Sequence, residues 1–171
     1  KNLFSHNQFK KYFRGQRNFY NFLIYDFKIH KKSKKKKYDL IFYYRNNRNK
    51  GNYFLLEIIK NISNKYKIAI VGDKIKNFTG NLNIKSFGNI KRQLVFKIIE
   101  QSRFALMTKE NNLSYFALDC ISKNLEIFSN KDLKLDNSIR TNLYIYISFE
   151  NLKKTIKIIN EKLKETNKKN I

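Results

Sequence analysis

The sequence predicts an α/β domain: a Rossmann-like parallel sheet with helices on both faces. Short apolar runs typical of buried strands alternate with segments whose apolar residues recur at helical spacing. Strands that alternate with helices pair in parallel, because each helix returns the chain to the same end of the sheet. The 171 residues suffice for one such domain and contain no internal repeat of fixed period.

The chain divides into two main parts and a short tail. Residues 1–37 are basic and aromatic, with a predicted strand at Phe22–Phe27 and a lysine-rich run, Lys31–Lys37, that is typical of a solvated loop. We interpret residues 1–37 as a linker to a further N-terminal domain, which their aromatic side chains would contact. Residues 38–165 carry the regular alternation, and we expect residues 166–171, rich in Lys and Asn, to fray.

The first half of the alternation begins with Tyr38–Tyr44, an apolar run that suits a buried parallel strand. A helix is predicted next, because five apolar residues fall on one helical face. These are Leu55, Ile58, Ile59, Ile62 and Tyr66. The run Lys67–Val71 predicts a second strand, closed by Gly72 and Asp73, and Leu82–Phe87 predicts a third.

The second half repeats the pattern with three further strands, predicted at Phe104–Met107, Leu125–Phe128 and Leu143–Ile147. One helix is predicted before the Phe104–Met107 strand, one after that strand, and one after the Leu143–Ile147 strand. Their apolar faces comprise, in order, Leu94, Val95, Ile98 and Ile99, then Leu113, Phe116, Ala117, Cys120 and Ile121, then Phe149, Leu152, Ile156, Ile159 and Leu163.

The composition excludes several classes of protein. The formal charge is +24, from 37 Lys and Arg against 13 Asp and Glu, which would ordinarily indicate a nucleic-acid or membrane partner. A Lys excess that comes with abundant Asn and Ile is typical of AT-rich coding sequences, so the charge is weak evidence for such a partner. A hydrophobic content of 42% excludes a disordered basic tail. No apolar run is long enough to span a bilayer, and no Cys/His cluster has metal-ligand spacing. The single Cys120 is interpreted as a buried packing thiol, and a reducing, cytoplasmic setting is expected.

Two loops at the expected ligand edge could carry chemistry, since doubly wound sheets bind ligands beyond the carboxyl ends of their strands. In the first, Arg45 and Lys50 could clamp a phosphate while Gly51 lets the backbone approach; the alternative is a solvated basic turn. In the second, Asn111 and Asp119 lie on the polar side of one helix, about 12 Å apart. The alternative there is a helix-capping Asn and an unrelated surface carboxylate.

Taken in order, these segments resemble the C-terminal domain of the retaining GT-B glycosyltransferases of family four. The resemblance covers Tyr38 to Lys164 and depends on five short motifs followed by the closing helix. The matching segments are Tyr44-Arg45 with Lys50-Gly51, Val71-Gly72-Asp73, Ser86-Phe87-Gly88, Thr108 to Asp119, Asn124 at a left-handed helix cap, and Phe149–Lys164.

The resemblance implies a site for a nucleotide-diphosphate sugar. Arg45 and Lys50 would meet the pyrophosphate, Asp119 would meet the ribose, and Gly51 and Gly72 belong to the same donor-binding set. The backbone of four consecutive residues would approach the phosphates and sugar; these are Asn112, Leu113, Ser114 and Tyr115. Asn111 replaces the first Glu of the family's pair, which lies against the sugar, and Glu110 is adjacent. Asn can hydrogen-bond to a sugar but cannot carry negative charge beside an oxocarbenium ion.

The resemblance therefore predicts a hexosyltransferase-like enzyme, retaining and metal-independent, with no cofactor besides the donor substrate. The expected acceptor is a glycan or a lipid-linked glycan, and the expected partner is an acceptor-binding N-terminal domain outside this chain. The Lys31–Lys37 run could add peripheral contact with the anionic inner face of a membrane; the alternative is a solvated loop. We do not expect nucleic acid as a partner, and the competing hypothesis is a basic α/β RNA-binding module without enzymatic activity.

Overall fold

The computed structural model describes residues 36–47, 52–75, 81–110, 114–133 and 141–168. Six strands lie within these ranges: β1 (Tyr38–Tyr44), β2 (Ile68–Gly72), β3 (Ile84–Ser86), β4 (Ser102–Leu106), β5 (Glu126–Asn130) and β6 (Tyr144–Ile147). The helices are α1 (Asn52–Ile62), α2 (Arg92–Glu100), α3 (Tyr115–Ser122) and α4 (Leu152–Lys168), and a 3-10 turn spans Thr141–Leu143.

The six strands form one parallel sheet in the order β3-β2-β1-β4-β5-β6. From β1 at the centre of the sheet, the described strands continue outward to β3, and the second half of the sheet then begins with β4 on the other side of β1. This is the doubly wound Rossmann order, and the predicted fold class is confirmed. The direction of winding reverses between β1 and β4, where the two strands lie side by side.

Helices cover both faces of the sheet, two on each face. On one face α2 and α3 pack against alternate strand residues such as Ile41 and Val71. On the other face α1 and α4 pack against Leu40 and Phe42. Successive strand residues point to opposite faces, so β1 and β2 need apolar side chains at nearly every position. That requirement explains why they appear in the sequence as continuous apolar runs.

The predicted strands and helices of residues 38–165 are confirmed, with shifts of up to two residues at most ends. Three residues of the predicted apolar helix faces were placed wrongly. Tyr66 follows α1 and Phe149 precedes α4, although both are buried, and Leu94 lies in α2 but is exposed. The helix α4 continues to Lys168, into the segment predicted to fray. The predictions for Phe22–Phe27 and for residues 31–35 of the lysine-rich run lie outside the described residues.

The end of α3 has the left-handed cap predicted at Asn124, whose φ is +54°. The Asn124 N–H donates to the Ile121 carbonyl at 2.9 Å, and the Leu125 N–H donates to the Cys120 carbonyl at 3.0 Å. These two bonds form a Schellman motif, which satisfies carbonyls that the last helical turn leaves without partners. Across the ranges that the structure describes, no helix combines the length and apolarity needed to cross a membrane.

Candidate functional site

A cavity of about 390 Å³ opens at the carboxyl ends of the strands, where β1 and β4 lie side by side. In doubly wound sheets this reversal of strand order is where ligands bind, because the loops leave the sheet in opposite directions and expose a crevice. The cavity is lined by Tyr43, Arg45, Gly72, Asn89, Ile90, Arg92, Val95, Leu106, Met107, Thr108, Ser114, Tyr115, Phe116 and Asp119.

Five of the residues predicted for the donor site line this one cavity, although they come from three separate parts of the chain. They are Arg45, Gly72, Ser114, Tyr115 and Asp119. Glu110 lies in an exposed turn beyond β4 and is not among the lining residues. Lys50, Gly51 and residues 111–113, which include Asn111, Asn112 and Leu113, lie outside the described residues, so their roles stay predictions.

Arg45 stands at the end of β1 with its side chain 50% exposed. Its guanidinium lies 3.6 Å from the Asp73 carboxylate and its Cζ lies 5.2 Å from the centre of the Tyr43 ring. The same Asp73 accepts a hydrogen bond from the Asn46 N–H at 2.8 Å, so it also holds the backbone of the loop. The cation is therefore placed at the cavity while half of its surface stays available to a ligand.

Gly72 ends β2 in a conformation that only glycine adopts readily, with φ at +104°. A Cβ at this position would overlap the carbonyl oxygen of Tyr44 in the neighbouring strand. The close approach lets the Asp73 N–H donate to that carbonyl at 2.9 Å, and the Gly72 N–H donates to Gly88 at 3.1 Å. The turns after β1, β2 and β3 are thus drawn together beside the cavity.

Helix α3 begins at the cavity wall. Ser114 caps it, and its hydroxyl accepts a hydrogen bond from the Ala117 N–H at 3.2 Å. The remaining N–H groups of a first turn carry partial positive charge, which favours anions such as phosphate. Tyr115 follows the cap with 62% of its surface exposed, beside the cavity. This wall therefore offers hydrogen-bond donors and one aromatic ring.

Asp119 lies just over one turn into α3. The prediction that it is on the polar side of its helix was wrong: it is buried, at 3% exposure, because every residue of α3 after Tyr115 is buried. Arg92, the first residue of α2, donates to both carboxylate oxygens: Nη2 to Oδ1 at 2.5 Å and Nε to Oδ2 at 3.2 Å. The neighbouring Cys120 is fully buried, and burial, assisted by the Asp119 charge, raises the pKa of its thiol. The prediction that Cys120 is a packing thiol is confirmed.

Sequence reasoning missed Arg92. It lies 27 positions from Asp119, and nothing local indicates that α2 and α3 meet there. One signal was available: only seven of the 37 basic residues are arginine. The three arginines in the described ranges each form an ion pair with an aspartate, as Arg45 with Asp73, Arg92 with Asp119, and Arg103 with Asp39. Arginine has a planar guanidinium that can donate to both oxygens of a carboxylate, which lysine cannot do. In a chain with so few arginines, each one therefore indicates a position where that geometry is needed.

The cavity can bind a ligand with an anionic end and a polar, hydrogen-bonding end. Arg45 and the start of α3 suit the anion, and the Arg92–Asp119 pair suits the polar end. Among the described residues no three His, Cys, Asp or Glu side chains come together in a group that could hold a metal ion.

No protein-family model and no curated protein sequence matches this chain. Solved structures do. They include an alpha-glucosyltransferase with UDP and a 13-mer DNA (TM-score 0.55, 11% identity, covering 73% of this chain and 45% of that chain). Anabaena HepE with UDP and glucose matches at TM-score 0.55 and 10% identity, over 77% of this chain and 40% of that one. S. aureus TarM with UDP matches at TM-score 0.59 and 16% identity, over 97% of this chain and 38% of that one.

The chain has a glycosyltransferase-like fold. At 10–16% identity these matches establish the shared α/β architecture. The chain spans less than half the length of each of these solved structures. All three of those proteins were solved with UDP, HepE also with glucose and TarM also with alpha-GlcNAc-glycerol.

Proposed function

We propose that this chain is the donor-binding domain of a GT-B glycosyltransferase and holds a nucleotide-diphosphate sugar in the cavity between β1 and β4. One observation carries the proposal: five residues predicted from the sequence as donor contacts, separated along the chain, line a single cavity at the reversal of strand order. The fold shared with transferases that were solved with UDP supports it.

The diphosphate would lie at the carboxyl end of β1. Arg45 reaches the cavity there, Lys50 follows in the same loop, and the α3 N-terminus faces the same space. Charge-assisted hydrogen bonds of this kind contribute about 1.5–3 kcal/mol each. Two cations and a helix N-terminus would therefore stabilise a leaving diphosphate without a divalent metal ion, which is the metal-independent arrangement that the resemblance implies.

The nucleoside would extend from the diphosphate along α3. Asp119 lies five residues beyond Ser114, which corresponds to about 7.5 Å of helix. That length suits the step from a diphosphate to the ribose of the same nucleotide. The ribose would then lie against the Arg92–Asp119 pair, at the wall of the cavity away from Arg45.

The sugar would occupy the opposite side of the diphosphate, near the start of α3, where Asn111 or Glu110 would face it. In a retaining transfer the bond from the sugar's anomeric carbon to the diphosphate breaks, and the nucleoside diphosphate leaves with the bonding electron pair. The acceptor hydroxyl oxygen forms the new bond on the same face, and its proton passes to the leaving phosphate. The acceptor, a glycan or a lipid-linked glycan, would come from the side of a second domain. The membrane contact proposed for Lys31–Lys37 would bring a lipid-linked acceptor close; of this run, Lys36 and Lys37 are described, and Lys36 donates to the Glu100 carbonyl at 2.8 Å.

Calorimetric titration of the full chain tests the proposal. UDP, ADP and GDP are titrated separately. The sugar-bearing form of whichever nucleotide binds is titrated next. A donor-binding domain saturates with one nucleotide at one site and binds the sugar-bearing form there in competition. If none of these nucleotides binds at millimolar concentration, the proposal is wrong.

The charge of +24 favours a second candidate, an RNA-binding module, and the same preparation discriminates between the two. An RNA binder prefers long polyanions, and its affinity falls steeply with salt because each neutralised phosphate releases counterions. Tight binding of a 20-nucleotide oligouridylate with a steep salt dependence, without saturable binding of mononucleotides, would replace the transferase proposal with this one.

A further inference from the structure

The ion pair of Arg92 and Asp119 joins α2 to α3 in the wall of the cavity. The guanidinium engages both carboxylate oxygens through two different nitrogens, at 2.5 and 3.2 Å. A two-point contact of this kind fixes the plane of the guanidinium as well as its position, which a single hydrogen bond would not do.

The two partners differ in what they expose. The side chain of Arg92 is 56% exposed, whereas that of Asp119 is 5% exposed. Both line the cavity, so a ligand entering it meets the guanidinium over a large surface and the carboxylate over very little. A direct contact between ribose and Asp119 would require Arg92 to move aside.

Neighbouring contacts oppose such a movement. The Arg92 Cζ lies 5.2 Å from the centre of the Phe96 ring and 6.0 Å from that of Tyr115, within the range of cation–π attraction. Lys123 lies 5.3 Å from the centre of the same Phe96 ring and forms an ion pair with Glu100 at 2.5 Å. Two ion pairs and a shared ring therefore hold α2 against α3.

Asp119 also compensates for an unfavourable position of Arg92. The helix α2 begins after Lys91, has no side-chain cap and carries no acidic residue in its first turn. A cation at a helix N-terminus is opposed by the helix dipole. The carboxylate from α3 offsets that repulsion, and it reduces the net charge that Arg92 presents to the cavity.

We propose that Arg92 contacts the nucleoside part of the bound nucleotide, and that Asp119 acts as a positioning residue through Arg92. The guanidinium donates to acceptors, which a nucleoside offers as ribose hydroxyl oxygens and base carbonyls. The inference rests on the proposed function, and it replaces the direct ribose contact that the resemblance implies for Asp119. Arg45, whose ion pair with Asp73 is longer at 3.6 Å, remains the cation for the diphosphate.

The test compares a nucleotide with a ligand that lacks the nucleoside. Calorimetry on the full chain measures the affinity of the tighter-binding of UDP and ADP, and of inorganic pyrophosphate. Arg92→Ala should weaken the nucleotide by about tenfold or more and change pyrophosphate by less than about twofold. Lys97→Ala is the matched control: it removes a cation from an exposed position on the same helix, outside the cavity, and should change neither affinity.

A double-mutant cycle separates positioning from direct contact. Asp119→Asn should weaken the nucleotide in the wild-type background and have no further effect in the Arg92→Ala background. Arg92→Ala leaves the buried Asp119 carboxylate without this cation, which could destabilise the fold. The cycle therefore also includes Arg92→Lys, which keeps the charge but not the planar guanidinium, and the double variant. Thermal melting checks that each variant is folded.

Two results would overturn the inference while leaving the proposed function intact. One is wild-type nucleotide affinity in folded Arg92→Ala and Arg92→Lys. The other is that Asp119→Asn weakens nucleotide binding as much in the Arg92→Ala background as in the wild-type background, which would assign the nucleoside contact to Asp119. Absence of nucleotide binding by the wild-type chain would overturn both proposals.

Discussion

Gly72 packs directly against the backbone of Tyr44, so that a Cβ at Gly72 would overlap the Tyr44 carbonyl oxygen. The contact joins the ends of β2 and β1, and β1 ends beside the cavity. The φ of Gly72, +104°, adds a second restriction, because residues with a side chain rarely adopt that conformation. The two strand ends are therefore held together by a glycine that no other residue can replace without a shift of the backbone.

Gly72→Ala should lower the free energy of unfolding by about 3 kcal/mol, from the positive φ and from the overlap with the carbonyl. Chemical denaturation measures it. Gly88→Ala is the matched control: its φ is +65°, but its Cβ would meet Lys74 Cγ at an ordinary 3.6 Å. The control should cost only about 1 kcal/mol. Equal losses for the two variants would contradict the packing argument.

Replacing Arg45 and Lys50 together by Ala should weaken a cognate nucleotide diphosphate by well over tenfold, since each charge-assisted contact contributes about 1.5–3 kcal/mol. Calorimetry on the full chain measures the affinity. The control variant, Lys60→Ala with Lys65→Ala, removes the same charge near the other end of α1, where both lysines are exposed. If both double variants bind equally well, the diphosphate is not held at the β1–α1 loop.

Cys120 should resist thiol reagents in the native chain. It is fully buried, and burial raises the pKa of its thiol, so the reactive thiolate is scarce near neutral pH. Labelling with an aromatic disulfide reagent at pH 8 should proceed only as fast as the protein opens, and it should become rapid in denaturant. Immediate labelling of the folded protein would show that α3 does not pack as described.

Tyr144 should contribute to a decline in the stability of the fold above about pH 10. Burial raises the pKa of this phenol above its ordinary value of 10.0, with smaller contributions from Cys120 and Tyr146. In the unfolded chain the phenol ionises near pH 10, whereas in the folded chain it stays protonated. The stabilisation is therefore complete below pH 10 and is lost as the pH rises toward the folded-state pKa, by up to about 1.4 kcal/mol per pH unit.

Denaturation from pH 9 to 11 checks this decline. Tyr144→Phe should flatten the alkaline slope, while Tyr146→Phe, at a more exposed position on the same strand, should leave the slope close to that of wild type. The slope is compared instead of the absolute stability, because each substitution also changes packing. An unchanged slope in Tyr144→Phe would exclude this residue as its source.

The helix cap at Asn124 provides a further test of local geometry. Its φ of +54° disfavours residues with a Cβ, and Asn is tolerated better than most. Asn124→Ala should lower the unfolding free energy by about 1 kcal/mol, and Asn124→Gly should leave it unchanged or raise it slightly. Thermal melting of the three proteins should rank them Gly, Asn, Ala in decreasing stability; a stable Ala variant would argue against the cap.

The sequence alone determined the strands and helices that the structure describes between residues 38 and 165. Apolar runs such as Tyr38–Tyr44 and helical faces such as that around Leu55 depend on periodicity within a few residues, and the backbone follows it directly. The left-handed cap at Asn124 was predicted from the family resemblance, which places a Gly at that position, where Asn is the next best residue. The β1–α1 loop with Arg45 was found from its position between a strand and a helix.

Only the tertiary structure decided the strand order, and with it the location of the cavity between β1 and β4. Strand order depends on contacts between segments far apart in the chain, which periodicity does not encode. The same holds for the partner of Asp119: the carboxylate was recognised in the sequence, but Arg92 lies 27 positions away on another helix. Their contact exists because α2 and α3 pack on the same face of the sheet, which brings the two side chains within hydrogen-bonding distance.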